Sequence, residues 1–426
     1  APLYVTIGGA ALIMNWGWGG YFPEERVEIA VSTQAQTLYS FIRNPLLVTL
    51  PLFTLAGYFL AQGDSSKRLI RLIQSVFGGV RGGAVIVTVI VCAFFTTFTG
   101  ASGVTILALG GLLMPVLQSA GYSERSSIGM LTGTGSLGVL FPPCLPLILY
   151  AVVATNTQLV SLSLKDVFLG GAIPGTLLVL MTIGWGMWNQ PKFEGERSPL
   201  DWNEIGKAFT GAVGELMLPI LTLFALFSGY ATPVEAASVS AFYAFLLYLV
   251  DARWVRKVNI RTELPQMVSE CGLLVGGVLL ILGVAMGLTD YLIFAMIPDQ
   301  MVEWAQATIE SKYVFLLALN GALILVGCLM DIFSAIIVIV PLIVPLGVVF
   351  GIHPVHLGII FLANLQLGYL TPPIGMNLFL ASYRFGKPMS EVIRASFPLL
   401  IVFAIGVLLI TYVPFLTTWL PNLLQQ

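Results

Sequence analysis

Charge is scarce in this sequence. Lys and Arg number 19 and Asp and Glu 21 in 426 residues, so charged residues make up 9%, against about 25% in soluble domains. So few charges cannot build a water-facing surface for a chain of this length, which excludes an ordinary soluble fold. Histidine is almost missing, with 2 residues, and the 4 cysteines stand far apart in apolar stretches. Cys92, Cys144, Cys271 and Cys328 therefore read as small core residues, and a disulfide framework or a thiolate metal cluster is excluded. With a net charge of −2, nothing favours nucleic acid. Alternating strands with a polar lumen face are missing, which argues against a β-barrel. No nucleotide-binding loop and no nucleophile–base pair is found, so neither an enzyme nor an ATP-driven pump is expected. The longest charged stretches, 189–207 and 251–263, are too short to fold alone, so no sizeable domain outside the membrane is expected.

Apolar residues fill the space that charge leaves. They make up 57% of the chain, and mean hydropathy is +0.93. Long, mostly uncharged runs cover 85–114, 167–188, 213–227, 231–250, 273–288 and 314–330, which makes lipid the solvent for most of the chain. The first run, 3–20, lacks a basic leader and an A-x-A-like cleavage site, and it reads as a retained span rather than a signal peptide. The expected class is an all-α polytopic membrane protein.

Gly (44) and Pro (24) are plentiful inside the apolar runs. Spans tolerate them where neighbouring groups satisfy the freed backbone, so clusters of them mark broken helices lining a protected site. A shift of 230 residues brings two halves of the chain into register without gaps. Ile106, Leu112, Pro115 and Gly121 meet Ile336, Leu342, Pro345 and Gly351; Leu137, Gly138 and Leu140 meet Leu367, Gly368 and Leu370. Pro142 and Pro143 meet Pro372 and Pro373, and Ala151 meets Ala381. Coincident Leu and Ile mean little in so apolar a chain; the spacing of the Pro and Gly positions indicates a duplication. Lys67, Arg68, Arg71 and Arg81 fall in 64–81, whereas the matching 294–311 has no Lys or Arg. Basic residues favour the cytoplasmic side, so the copies are expected to be inverted. Both stretches are short and amphipathic and read as interfacial arm helices, or alternatively as ordinary polar loops.

Two constellations recur once per half. The first is Phe98-Thr99-Gly100-Ala101-Ser102-Gly103-Val104-Thr105, matched by Leu329-Met330-Asp331-Ile332-Phe333-Ser334-Ala335. The flanking runs are too short to span comfortably, so each predicts a re-entrant hairpin whose small and hydroxylated tip exposes oxygen atoms to a hard cation. Close helix packing by small residues is the alternative. The second is Gly133-Thr134-Gly135-Ser136-Leu137-Gly138 running into Pro142-Pro143, matched by Asn364-Leu365-Gln366-Leu367-Gly368 running into Thr371-Pro372-Pro373-Ile374-Gly375-Met376-Asn377. Proline here interrupts a helix mid-span, and the half-helix ends offer carbonyls to a cation and N–H groups to an anion; a kink without function is the alternative. The residues thus predict two pseudo-symmetric cation sites with an anionic substrate between them. Among intramembrane charges, Asp331 beside a tip is the leading candidate for a transport role. Glu215, Glu235, Glu270 and Asp290 lie near run ends. Arg43, Arg81 and Arg384 are expected to snorkel, and His353 and His356 to face water.

At these residues the chain resembles the large membrane (M) subunit of TRAP (tripartite ATP-independent periplasmic) transporters, DctM-like, over nearly its whole length. The marks are Pro51-Leu52-Phe53-Thr54-Leu55-Ala56-Gly57, the Thr99–Gly103 tip, Gly121-Tyr122, Gly170-Gly171-Ala172-Ile173-Pro174-Gly175, Ala231-Thr232-Pro233-Val234-Glu235-Ala236-Ala237, Gly351-Ile352-His353-Pro354-Val355-His356 and Thr371-Pro372-Pro373-Ile374-Gly375-Met376-Asn377-Leu378. The resemblance implies an elevator-type carrier in the bacterial inner membrane, coupled to Na+ and importing a small carboxylate. It also implies a small four-helix (Q type) membrane subunit and a periplasmic substrate-binding protein (P type) as partners. Carried over by position, Thr99, Gly100, Ser102, Gly135, Gly138, Ser334, Gly368 and Thr371 are the sodium candidates. Ala101, Ser102, Ser136, Asp331 and Asn377 are the substrate candidates. Two departures stand out: His353 where the family usually has Asp, and a first tip with one hydroxyl fewer than the commoner Ser-Gly-Ser-Ser. The expected units are 1–82 (scaffold and arm), 83–165 (first transport unit), 166–312 (central scaffold and second arm), 313–386 (second transport unit) and 387–426 (C-terminal span). A stand-alone sodium/dicarboxylate symporter, a channel and a structural membrane subunit remain open alternatives.

Overall fold

The structure, a computed structural model, describes residues 45–100, 102–190 and 201–424, with positions 9, 13 and 39 before them. The run at 3–20, Arg43, Ala101 and the side chain of Asp290 lie outside the described residues. Every described regular element is a helix. The first half holds α1 (Thr49–Gln62), α2 (Ser65–Phe77), α3 (Gly83–Thr99), α4 (Ser102–Ser119), α5 (Glu124–Thr134), a 3-10 turn (Leu137–Leu140), α6 (Leu145–Asn156) and α7 (Leu164–Trp188). Two linking helices follow, α8 (Trp202–Phe227) and α9 (Pro233–Val250). The second half holds α10 (Ile260–Phe294), α11 (Ile297–Thr308), α12 (Lys312–Leu329), α13 (Ile332–Val349), α14 (Pro354–Gly368), α15 (Met376–Phe385), α16 (Met389–Tyr412) and the short α17 (Phe415–Leu424).

The duplication read from proline and glycine spacing is a duplication of helices. Shifted by 230, Ser102–Ser119 falls on Ile332–Val349 residue for residue, and the starts of α5 and α14 coincide. The ends are built alike. Gly121 and Gly351 take left-handed φ of 89° and 62°, where a side chain would be strained. The next N–H, of Tyr122 or Ile352, reaches back to Leu117 O at 3.1 Å or Gly347 O at 2.8 Å. This backward bond closes the last turn of a helix and turns the chain sharply. Ser123 then caps α5 and His353, its equivalent, caps α14.

Eight described helices are long and apolar enough to cross a membrane: α4, α7, α8, α9 with its π-turn extension, the first part of α10, α12, α13 and α16. The pair α5–α6, bent by 47°, makes a broken crossing. Of the eight, α4, α12 and α13 qualify by length and composition alone; at 18 residues each they reach about 27 Å, short of the ~30 Å hydrocarbon layer, as does α3 with 17. The pairs α3–α4 and α12–α13 are therefore read as hairpins that return to the face they left. Between arm helices α2 and α11 the chain crosses an odd number of times, through α5–α6, α7, α8, α9 and α10, so the arms lie on opposite faces and the repeat is inverted. Of the described Lys and Arg residues, all but Lys165 and Lys312 fall toward the face of α2; the positive-inside rule makes that face cytoplasmic. Exposed Trp188, Trp202 and Trp254 at helix ends suit the membrane–water interface.

The α2 arm is anchored by buried charge. Arg68 binds Glu215 of α8 (2.6 Å) and Asp251 at the end of α9 (2.9 Å), and Arg256 joins Asp251 (2.8 Å) to Glu263 of α10 (2.7 Å). Glu215 and Asp251 are each 2% exposed, so Glu215 serves this network and is remote from both helix breaks. Glu235 closes the capping box that starts α9 with Thr232.

Removing one partner of a buried ion pair strands the other, at a cost of about 3–5 kcal/mol. Arg68→Ala is therefore expected to lower the melting temperature of the purified protein sharply, and Arg68→Ala with Glu215→Gln to recover part of the loss. Unchanged melting of the single variant would show that the network does not hold the arm.

Candidate functional site

Each helix break is built by prolines that cannot continue the turn and by glycines that let backbones touch. The first lies between Thr134 and Leu145, the second between Gly368 and Met376, and both Pro142-Pro143 and Pro372-Pro373 are cis. A Cβ on Gly138 would sit 2.2 Å from Ala93 O and 2.4 Å from Thr97 N. A Cβ on Gly368 would sit 2.6 Å from Gly327 Cα. Thr97 and Gly327 are themselves 230 residues apart, so each broken helix rests on the backbone of its own hairpin at the same place.

The tips follow the same rule. Gly100, with φ of 66°, ends α3, and a Cβ there would meet Leu145 Cβ at 2.7 Å, so the first tip abuts the start of α6. Gly375, the equivalent of Leu145, donates its N–H to Cys328 O at 3.2 Å, which ties the second tip to the start of α15. Among the described residues neither α6 nor α15 has a side-chain cap on its N-terminus. Two half-helices without a side-chain cap therefore begin beside the hairpin tips.

Both halves meet at the first break. Gln366 donates its amide N–H to the Ser136 carbonyl, and these two positions are 230 residues apart. Equivalent residues touch only where they flank the pseudo-two-fold axis, so this contact places the axis. The Gln366 side chain is buried and its Oε1 finds no partner among the described residues. Asn377, also buried, accepts from Ser102 Oγ at 2.7 Å and donates to Thr132 O at 3.2 Å. A residue of the second half thus links the first tip to the first broken helix.

Among the sodium candidates, the Gly135 carbonyl accepts from Thr96 Oγ1 at 2.7 Å and the Gly138 carbonyl from Thr97 Oγ1 at 3.3 Å. Thr96 Oγ1 lies 2.7 Å from Thr105 Oγ1, which makes a dense cluster of buried oxygens beside the first break. Thr99 and Ser102 are buried beside the first tip. At the second break Gly368 O accepts from Thr371 N at 2.9 Å, and Thr371 Oγ1 donates to Leu367 O at 3.0 Å. Carbonyl and hydroxyl oxygens are the donor set a hard cation takes, so the residue types fit. In this conformation these oxygens bond to neighbouring protein groups, Thr96, Thr97 and Asn377 among them. Asp331 holds Phe333 N and Ser334 N at 3.0 Å and also accepts from the Ser334 hydroxyl. It is the N-cap of α13, a local role that motif reading did not foresee, and it places a carboxylate on the one hairpin N-terminus where it is seen. The two breaks also differ in exposure: Pro143 and Cys144 are buried, whereas Pro372, Pro373 and Ile374 are exposed.

His356 departs from expectation. It is buried at 1% exposure, with Nδ1 2.8 Å from Thr417 Oγ1 and Nε2 3.2 Å from Thr411 O, because the end of α16 and the start of α17 fold over it. His353 is exposed, as expected. Gln366, Thr105 and Asn364 fall inside the recurring constellations but were given no role there, and Thr96 and Asn320, which pairs with Asn364 at 2.7 Å, carried no motif. The first was findable, since it pairs with Ser136 in the repeat alignment.

The chain matches the family described as "Tripartite ATP-independent periplasmic transporter, DctM component" over residues 2–416. It is 31% identical to the C4-dicarboxylate TRAP transporter large permease protein DctM of Vibrio cholerae, covering 100% of this chain and 94% of that protein. It is 29% identical to the isethionate TRAP transporter permease protein DctMQ of Oleidesulfovibrio alaskensis, covering 97% of this chain and 62% of that one. Its fold is similar to that of the Alcanivorax borkumensis YdaH transporter crystal structure, with a TM-score of 0.69 at 14% identity, covering 96% and 97% of the two chains.

Gly368→Ala is expected to force α14 away from α12, with a stability loss of about 1–3 kcal/mol, as for other overpacked cores. A thermal melt of the purified protein measures it. Wild-type stability in this variant would contradict the close backbone approach.

Proposed function

The chain belongs to the DctM component of the tripartite ATP-independent periplasmic transporters, a large permease, and from there we propose how it works. We infer that it imports a small organic anion by alternating access, driven by sodium ions that occupy the two helix breaks. The observation that carries this reading is the pairing, at each break, of an uncapped half-helix N-terminus with carbonyl-terminated half-helices. The N–H ends attract an anion and the carbonyl ends a cation. One constellation repeated in two inverted copies suits a solute held between two ions.

In this reading Thr99, Gly100, Ser102, Gly135 and Gly138 serve one ion, and Ser334, Gly368 and Thr371 the other. Ser102, Ser136, Asp331 and Asn377 contact the substrate, and Ala101 is assigned to it by its place in the sequence alone. Relatives named for C4-dicarboxylate and isethionate transport support an organic anion as cargo. DctM-type permeases generally act with a small Q-type subunit and a periplasmic binding protein, and we assign both to this chain as partners.

We further propose that the hairpins and broken helices move as one body against α1, α2 and α8–α11. The expected partition leaves 166–312 and 387–426 outside that body, but packing supports adding α7 and α16 to it. A Cβ on Gly171 of α7 would strike Leu140 O at 2.2 Å, and one on Gly129 of α5 would strike Ala395 O of α16 at 2.1 Å. Surfaces this closely fitted favour joint motion.

The test is uptake of labelled carboxylates and sulfonates into proteoliposomes, with and without an inward sodium gradient, the small subunit and the binding protein. Uptake is expected to need all three, and Ser102→Ala and Asn377→Ala to lower it at least tenfold while melting within a few degrees of wild type. Uptake by the chain alone would replace the tripartite reading with a stand-alone symporter.

A further inference from the structure

A corner of the scaffold carries positive charge that the ion-pair network leaves unused. Past α9 the chain makes a π-turn over Asp251–Val255, then enters α10. Four basic residues, Arg253, Arg256, Lys257 and Arg261, fall within this connection. Arg256 is committed to Asp251 and Glu263. The side chains of Arg253, Lys257 and Arg261 are exposed and form no ion pair among the described residues. They line a cleft of about 690 Å³ together with Trp254, Val258 and Asn259, and no acidic side chain lines it.

The corner is held in shape by its own backbone. Arg256 N–H bonds Asp251 O at 2.9 Å and Val258 N–H bonds Ala252 O at 3.0 Å, around a left-handed Lys257 at φ of 52°. Exposed apolar surface adjoins it: Trp254 is 69% exposed, Val255 54% and Val250, at the end of α9, 46%. The cleft therefore sits where two helices long and apolar enough to cross a membrane reach the basic, cytoplasmic face. An apolar wall beneath three unpaired cations, with an indole between, matches a lipid with a charged headgroup better than it matches a soluble ion.

We propose that this corner binds the phosphate of an anionic phospholipid headgroup, with Arg253, Lys257 and Arg261 as its cationic contacts and Trp254 against its glycerol and upper acyl region. The lipid would sit on the same turn that Arg68 uses to hold the arm helix, so it braces the fixed part of the carrier against the cytoplasmic leaflet. Each Lys or Arg near an anionic membrane surface raises affinity roughly fivefold. Losing three should cost at least tenfold even with partial screening.

Native mass spectrometry of the detergent-purified full chain, titrated with phosphatidylglycerol or phosphatidylethanolamine, tests this directly. Phosphatidylglycerol is expected to bind at least tenfold more tightly. The triple variant Arg253→Gln, Lys257→Gln, Arg261→Gln should lose at least tenfold of that affinity. Lys207→Gln, on the same face but outside the cleft, should lose none, and Arg253→Lys with Arg261→Lys should retain most of it. That charge-retaining pair separates lost charge from a damaged fold. Equal phosphatidylglycerol affinity in wild type and triple variant would overturn the proposal. So would equal binding of the two lipids. Displacement of the lipid by inorganic phosphate at matching concentration would assign the cleft to a soluble anion instead.

Discussion

In hydrocarbon an unpaired peptide group costs several kcal/mol, and the rest of this structure depends on that constraint. A span can be interrupted at mid-membrane only where protein covers the interruption or where it lines a water-filled cavity. Both interruptions here are braced by the same device, a hairpin brought into backbone contact by glycine. Gly138 admits the α3 backbone and Gly368 the α12 backbone. The freed groups find local partners, such as Thr96 Oγ1 on Gly135 O and Thr371 N on Gly368 O. Under the proposed mechanism, stability and function draw on the same atoms: the carbonyls that must be satisfied in the resting fold are those an ion would recruit.

Duplication supplies the geometry, and divergence gives the two halves different chemistry. The Ser136–Gln366 contact fixes the axis, and the helix boundaries on either side of it agree almost residue by residue. Yet the first tip carries buried hydroxyls, whereas the second places the Asp331 carboxylate on its own helix N-terminus. The uncapped α6 and α15 retain their positive ends, while that of α13 is occupied. An anion between the halves would thus meet two attractive helix ends and one already neutralised. Asn377 reaches across from one half to the other, so the start of α15 is tied to both the first tip and the first broken helix.

Much of this was legible in the sequence, because proline, glycine and charge act locally. Pro142-Pro143, Pro372-Pro373 and the tip glycines disclosed the breaks and hairpins, and the basic 64–81 against the base-free 294–311 disclosed the inversion. Residues whose roles depend on distant partners were less legible. Glu215 looked like an intramembrane charge until Arg68 was found 147 positions away. His356 looked like a loop residue until Thr411 and Thr417 closed over it. Asp331 was conspicuous as a charge, but its spacing to Ser334 fits a helix cap equally well. The packing of α7 and α16 on the broken helices had no sequence signal beyond small residues such as Gly171 and Gly129, which any helix pair can use.

The central claim is that hairpins and broken helices form one body that moves against the scaffold. Spin labels on cysteines at Phe242 of α9 and Tyr383 of α15 report the distance between the two parts, and labels at Tyr383 and Phe397 of α16 report a distance within the moving body. All three side chains are exposed. The account predicts two populations for the first distance, with their balance shifted by sodium and by substrate-loaded binding protein, and a single unchanged population for the second. A first distance that stays single under every condition, or a second that changes in step with it, would contradict the account.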